Sequence, residues 1–199
     1  MKKILIIILG LLILVIIVLG FGVYKFNVTN DDIHIDNSVA VGGTSPENAT
    51  YTIQGQKVTL KNGISEVSVA PGSASKIVTR YFGNEVNYDF NGDGREDEAF
   101  ILTQETGGSG IFYYVVVVLN TINGFVGSDG VLLGDRIAPQ TTEMGKGNIV
   151  IVNYADRKPE ESFAVQPSVG KSMWLLLDPK TMQFGEVAQN FEGESNIAK

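Results

Sequence analysis

Apolar residues fall along this chain in two patterns. Over residues 4–23 they run without interruption, as Ile, Leu, Val, Gly and one Phe. Beyond residue 50 they come in short bursts punctuated by Gly, Pro, Asn, Asp and Ser. A continuous run of that length spans the roughly 30 Å hydrocarbon core of a bilayer. Lys2 and Lys3 in front of it should remain cytoplasmic, and Tyr24 and Lys25 stand where interfacial anchors belong. The alternative is a cleaved signal peptide, whose apolar region usually covers only about 7–15 residues. Val18-Leu19-Gly20 is a poor match to its small-residue cleavage site. The pattern predicts a cytoplasmic stub over 1–3 and a transmembrane signal-anchor helix over 4–24. Both readings carry the rest of the chain out of the cytoplasm.

Residues 25–50 are polar and keep no period, which predicts a flexible tether. The single histidine, His34, lies there between Ile33 and Ile35 and reads as incidental. Asn27-Val28-Thr29 and Asn48-Ala49-Thr50 match the glycosylation sequon, which has meaning only in a eukaryotic secretory pathway.

From Tyr51 onward the bursts have strand length and strand composition. Residues 51–54, 56–60, 64–69, 76–82, 98–104, 131–133, 149–152 and 173–177 read as strands, the last followed by a short final hairpin. Lys61-Asn62-Gly63 is a strong hairpin signal between the second and third of these. The most apolar stretch, residues 111–119, should be a central strand covered on both faces. No stretch beyond the anchor keeps a 3.6-residue period. The expected fold is all-β over 51–190, an antiparallel sandwich or a curled barrel-like sheet, with a disordered tail at 191–199.

Composition narrows the chemistry. The chain of 199 residues has no cysteine, so disulfides, thiolate nucleophiles, zinc–thiolate clusters and a lipobox are all ruled out. A net charge of −7 argues against nucleic acid as a partner, because that needs a basic face. With one histidine placed in the tether, neither a Ser-His-Asp nor a Cys-His system can be assembled.

One stretch stands apart, Asp89-Phe90-Asn91-Gly92-Asp93-Gly94-Arg95-Glu96-Asp97. Side-chain oxygens occupy positions one, three, five and nine, and a glycine occupies position six. At that spacing a tight loop turns alternate side chains onto one cation, and Ca²⁺ takes six to eight oxygens in a flexible shell. Asp89, Asn91, Asp93 and Asp97 would supply side-chain oxygens and Arg95 its backbone carbonyl. Asp, Asn and Gly also build plain turns. Without a cation, however, three aspartates would crowd like charge with only Arg95 to relieve it.

The flanks separate two kinds of calcium loop. In an EF-hand an acidic residue at position twelve closes the shell, and here that position is Phe100. The following residues, 98–103, are strand formers. The stretch therefore resembles the strand-loop-strand calcium site of FG-GAP (integrin-type) repeats, with pattern D-x-N/D-x-D-G-x-x-D. That resemblance implies Asp89, Asn91, Asp93, Arg95 and Asp97 as ligands. It occurs once, and a propeller needs several similar blades. Residues 51–177 also resemble a domain of bacterial membrane-anchored proteins and lipoproteins of unassigned function. Thr79-Arg80-Tyr81-Phe82-Gly83-Asn84, the loop at 89–97, Gly107-Gly108-Ser109-Gly110 with Phe112-Tyr113-Tyr114, Leu133-Gly134-Asp135-Arg136 and Asn153-Tyr154-Ala155-Asp156-Arg157 carry the likeness. It implies a location and a fold style, and no activity.

The remaining candidates are weaker. Val169-Gly170-Lys171-Ser172 copies the tail of a phosphate-binding loop, but Val165 stands where the first glycine is required. Ser109, Ser168 and Ser172 coexist with several lysines, and nothing singles out a Ser-Lys pair. Asp135-Arg136 and Asp156-Arg157 could face each other as hydrolase carboxylates, or simply be turn aspartates with paired arginines. Phe112, Tyr113, Tyr114, Tyr154 and Trp174 could line a sugar-binding face, but strand alternation would bury about half of them. The expected role is a membrane-tethered, calcium-stabilised, non-enzymatic module of the cell envelope with a polymer or protein partner. A carbohydrate-binding module and a carboxylate hydrolase are the alternatives.

Overall fold

The computed structural model describes residues 42–188. The anchor segment, most of the tether with His34, and the tail 191–199 lie outside these residues. Among the described residues no helix is long and apolar enough to cross a membrane. The fold is all-β. Among the described residues one short 3-10 turn, Pro46–Asn48, precedes twelve strands. These are β1 (Thr50–Ile53), β2 (Gln56–Thr59), β3 (Ile64–Ser68), β4 (Lys76–Tyr88), β5 (Asp97–Glu105) and β6 (Phe112–Thr121). Then come β7 (Gly124–Gly127), β8 (Val131–Asp135), β9 (Ala138–Met144), β10 (Ile149–Asp156), β11 (Val169–Asp178) and β12 (Gln183–Glu186).

Three antiparallel sheets result: the hairpin β1-β2, a four-stranded sheet ordered β12-β11-β10-β9, and a larger sheet ordered β3-β4-β5-β6-β7 with β8 also on β6. The barrel-like alternative is not adopted. The larger sheet stays open, ending at β3 on one side.

The two central strands explain the layering. Val115, Val116, Val117 and Val118 of β6 and Ala99, Phe100, Ile101 and Leu102 of β5 are all fully buried. A strand alternates its side chains between faces, so a continuous apolar run must be covered twice. On one face Ala99, Ile101, Val115, Val117 and Leu119 pack against Val150, Val152, Tyr154, Leu175 and Leu177 of β10 and β11. On the other, Phe100, Leu102, Tyr114, Val116 and Val118 pack under Tyr51, Ile53, Val58 and Leu60 of the hairpin and its exit. The central strand read from residues 111–119 is thus found, covered on both faces.

Three local expectations change. The Lys61-Asn62-Gly63 turn forms, with Asn62 and Gly63 at φ 52° and 79°, but it does not pair β2 with β3. Its groups are engaged elsewhere: Gly63 N–H donates to the Glu47 carbonyl, Asn62 N–H to Asn48 Oδ1, and Tyr81 N–H to the Gly63 carbonyl. The turn hands the chain from one layer to the next. The tight hairpin lies instead at Gln54-Gly55, between β1 and β2. Strand β4 continues six residues past the expected end, through a bulge at Gly83 and Asn84 (φ 91° and 58°) that breaks its alternation.

The tether also ends sooner than residue 50. Gly42 and Gly43 hydrogen-bond to Asn123 and Phe125, and Ala49 is buried. A Cβ on Gly42 would fall 2.5 Å from the Gly124 carbonyl carbon, and one on Gly43 would fall 2.3 Å from the Asn48 oxygen. This glycine pair serves close backbone approach, where the sequence suggested flexibility.

Phe100→Ala is expected to cost about 3–5 kcal/mol of unfolding free energy, read as a lower urea midpoint. Ile122→Ala, at a side chain 86% exposed, should leave the midpoint unchanged. Equal effects would contradict a core centred on β5 and β6.

Candidate metal site

The nine-residue loop closes the β4–β5 hairpin, whose last pair is Tyr88 with Asp97. Its first aspartate organises the bend. Asp89 Oδ1 accepts from the Gly92 and Asp93 amides at 2.8 and 3.1 Å, and Oδ2 accepts from the Gly94 amide at 2.9 Å. Gly92 and Gly94 both have left-handed backbone, φ 76° and 81°, a region that penalises residues with a Cβ. Asn91 Oδ1 accepts from Asp93 N–H at 2.9 Å, and Asp93 Oδ1 from Arg95 N–H at 2.9 Å. Position six is thus a glycine for the reason the sequence suggested.

Two side chains fasten this loop to the sheet. Asp97 is 1% exposed; it accepts from Phe90 N–H at 2.9 Å and from Asn120 N–H at 2.7 Å. Arg95 spans the same gap from the other side. Its Nη2 donates to Asp93 Oδ2 at 2.6 Å and its Nε to the Asn120 carbonyl at 2.6 Å. Phe90, between the first and third ligand positions, is buried in the core facing the four-stranded sheet. The loop is therefore anchored to β4, β5 and the end of β6. Asn120 carries no signal in the sequence; a lone Asn before a turn gives no hint that a distant loop will claim both its backbone groups.

Electrostatics set the terms for a ligand. Burial pushes the Asp97 carboxyl above its ordinary value; the Asn120 and Phe90 amides oppose the shift, and the charges of Asp93 and Asp89 add to it. Asp93 is held below the ordinary range, chiefly by the Arg95 amide. Loop oxygens point largely at the loop's own amides. Among the described residues no three His, Asp or Glu side chains converge as a ready-made metal cluster. The structure brings Asp89, Asn91, Asp93, Arg95 and Asp97 into one loop without closing their oxygens into a shell. The donor set is made of oxygens alone, the kind of ligand that hard divalent cations take.

The other candidates resolve into pairs. Asp135 binds Arg136 through both oxygens, at 3.0 and 2.8 Å, and also accepts from Ile111 N–H. Asp156 pairs with Lys171 at 2.6 Å, not with its neighbour Arg157. The Arg157 guanidinium instead donates to the carbonyls of Val165, Arg136 and Phe163, holding the 158–168 loop, with Phe163 lying 3.6 Å beneath Arg136. Val169-Gly170-Lys171-Ser172 opens strand β11. The aromatics divide as alternation demands: Tyr114 and Tyr154 are buried in opposite core layers, and Tyr113 packs edge-on against Phe82.

Comparison of the chain with protein-family models, curated proteins and solved structures found no match.

The paired aspartates make the acid side of the stability curve specific. Arg136 holds Asp135 below the ordinary carboxylate range, and Lys171 does the same for Asp156. Their stabilisation is fully present above that range and is lost as pH falls through the lowered values. Asp135→Asn should therefore lower the urea midpoint near neutral pH and converge with the wild type in acid. A gap that stays constant with pH would contradict the ion-pair contribution.

Proposed function

We propose that this chain is a membrane-tethered extracytoplasmic β domain, two facing sheets plus a covering hairpin, stabilised by a structural calcium ion. Its role is that of a binding or structural module of the cell envelope. The ligands are Asp89, Asn91, Asp93 and Asp97 through side-chain oxygens and Arg95 through its carbonyl. The observation that carries the reading is the buried Asp97 carboxylate. It accepts from Phe90 N–H in the loop and Asn120 N–H on β6, while burial, and after it the nearby charges of Asp93 and Asp89, work against its ionised form. A cation would turn that repulsion into attraction and lock the loop to β6. The tether and anchor follow from the apolar run 4–23 and the lysines before it.

Calcium suits the site better than magnesium, since an irregular all-oxygen shell tolerates the longer, variable distances that calcium accepts. With Phe100 at position twelve there is no closing carboxylate, so affinity should lie on the order of 10⁻⁴–10⁻³ M. Ion that binds only the folded state stabilises it by mass action. Thermal unfolding of residues 42–199 should therefore shift upward by several degrees in calcium at about ten times the dissociation constant, and not in magnesium or EGTA. Asp89→Ala and Asp93→Ala should each abolish the shift, and Glu96→Ala should keep it. Equal loss in all three would point to a diffuse acidic patch, and no shift in the wild type would remove calcium from the account.

A further inference from the structure

The hairpin β1–β2 does not fill all the space above the larger sheet. Ile53 and Val58 turn down from it into the core that holds Phe100 and Leu102. Beside them a cavity of about 250 Å³ remains, walled by Ile53, Val58, Val67 and Ile77, with Thr79 and Gln104 also lining it. Directly paired residues share a face of a sheet. The pairs Val67–Ile77 and Thr79–Gln104 therefore point to the hairpin side together with Leu102.

The walls are apolar, and the floor is not. Thr79 and Gln104 are 1% and 7% exposed. Gln104 Nε2 donates to Thr79 Oγ1 at 3.1 Å. That bond uses one of the two amide hydrogens, and Gln104 Oε1 accepts from no group among the described residues. The oxygen is not sealed in, since the enclosed polar side-chain atoms without a partner belong to Asn84, Thr142 and Trp174. It opens onto the cavity. A buried amide with an idle acceptor and an idle donor is an unusual expense in a folded core.

Charge and size narrow what fits. Among the described residues Lys57 is the one charged group at the cavity, and it pairs with Thr52 on the hairpin face opposite to Ile53 and Val58. A charged ligand inside would thus be buried without a counter-charge, which is strongly unfavourable. An apolar cavity of about 150 Å³ holds benzene, so this one takes roughly ten non-hydrogen atoms. An apolar pocket with a few convergent polar groups is the usual form of a small-molecule site.

We propose that this cavity binds a small uncharged amide, with a compact aliphatic body and a carboxamide or lactam head. The body packs against Ile53, Val58, Val67 and Ile77. The head donates its N–H to Gln104 Oε1 and accepts from the second Nε2 hydrogen or from the Thr79 hydroxyl. This site goes beyond the envelope-module reading and does not depend on the loop at 89–97.

The probe is cyclohexanecarboxamide, titrated into the isotope-labelled full-length chain in detergent micelles and followed by NMR. Saturable shifts are expected together at the Gln104 side-chain amide and at the methyl groups of Ile53, Val58 and Ile77. Cyclohexyl methyl ketone keeps the body and the carbonyl but lacks the N–H, and should bind about tenfold more weakly. Cyclohexanecarboxylate, charged at neutral pH, should not bind. Gln104→Met, of similar volume, should erase the difference between carboxamide and ketone. The probe series on the wild-type chain keeps the test valid if that variant fails to fold. No saturable shift with the carboxamide would overturn the proposal and leave water as the partner of Gln104. Equal affinity for all three probes would also overturn it, as would a preference for the carboxamide that survives in Gln104→Met.

Discussion

Burial on both faces of the β5–β6 pair is the constraint from which the other layers follow. Eight consecutive-by-strand residues, Ala99 to Leu102 and Val115 to Val118, have essentially no contact with solvent. One covering layer would expose half of them, and apolar surface left in water costs roughly 25 cal/mol per Å². The four-stranded sheet covers one side and the short hairpin covers the other. The hairpin has too few residues to cover its side completely. A cavity of about 250 Å³ remains beside it, lined by Ile53, Val58, Val67, Ile77, Thr79 and Gln104.

The same pair positions the loop at 89–97. Asp97 is the first residue of β5, and Asn120 lies near the end of β6, so a carboxylate at the mouth of one strand meets an amide on the next. Phe90 carries the middle of the loop into the core, packing edge-on with Tyr88 at 5.5 Å. Polar and apolar fastenings thus act on one short segment. Arg95 completes the picture as an internal cation, bridging Asp93 and the Asn120 carbonyl. It thereby ties the loop to the end of β6.

Much of this architecture could be read from pattern alone. The run at 111–119 announced a doubly covered strand because nothing in it alternates. The loop at 89–97 announced its bend through Gly94, which adopts the backbone that a glycine permits. What escaped were features whose cause lies far away in sequence. Asn62-Gly63 has the chemistry of a hairpin turn, but Glu47 and Asn48 take its amides and turn it into a corner. Gly42-Gly43 reads as a flexible link, and only the approach of Gly124 shows that it is a packing site. The bulge at Gly83-Asn84 hides six residues of β4 from any test based on alternation. In the loop itself, the bend at Gly94 was legible. The partner Asn120 was not, since its role is exerted through backbone groups that every residue has.

The claim that bears most weight is that the loop and β6 act as one unit through Asp97. An NMR titration of calcium into isotope-labelled residues 42–199 tests it directly. The account predicts saturable shifts at the amides of Gly94, Phe90 and Asn120 together, with one dissociation constant. Shifts confined to the exposed part of the loop, with Phe90 and Asn120 unmoved, would contradict it.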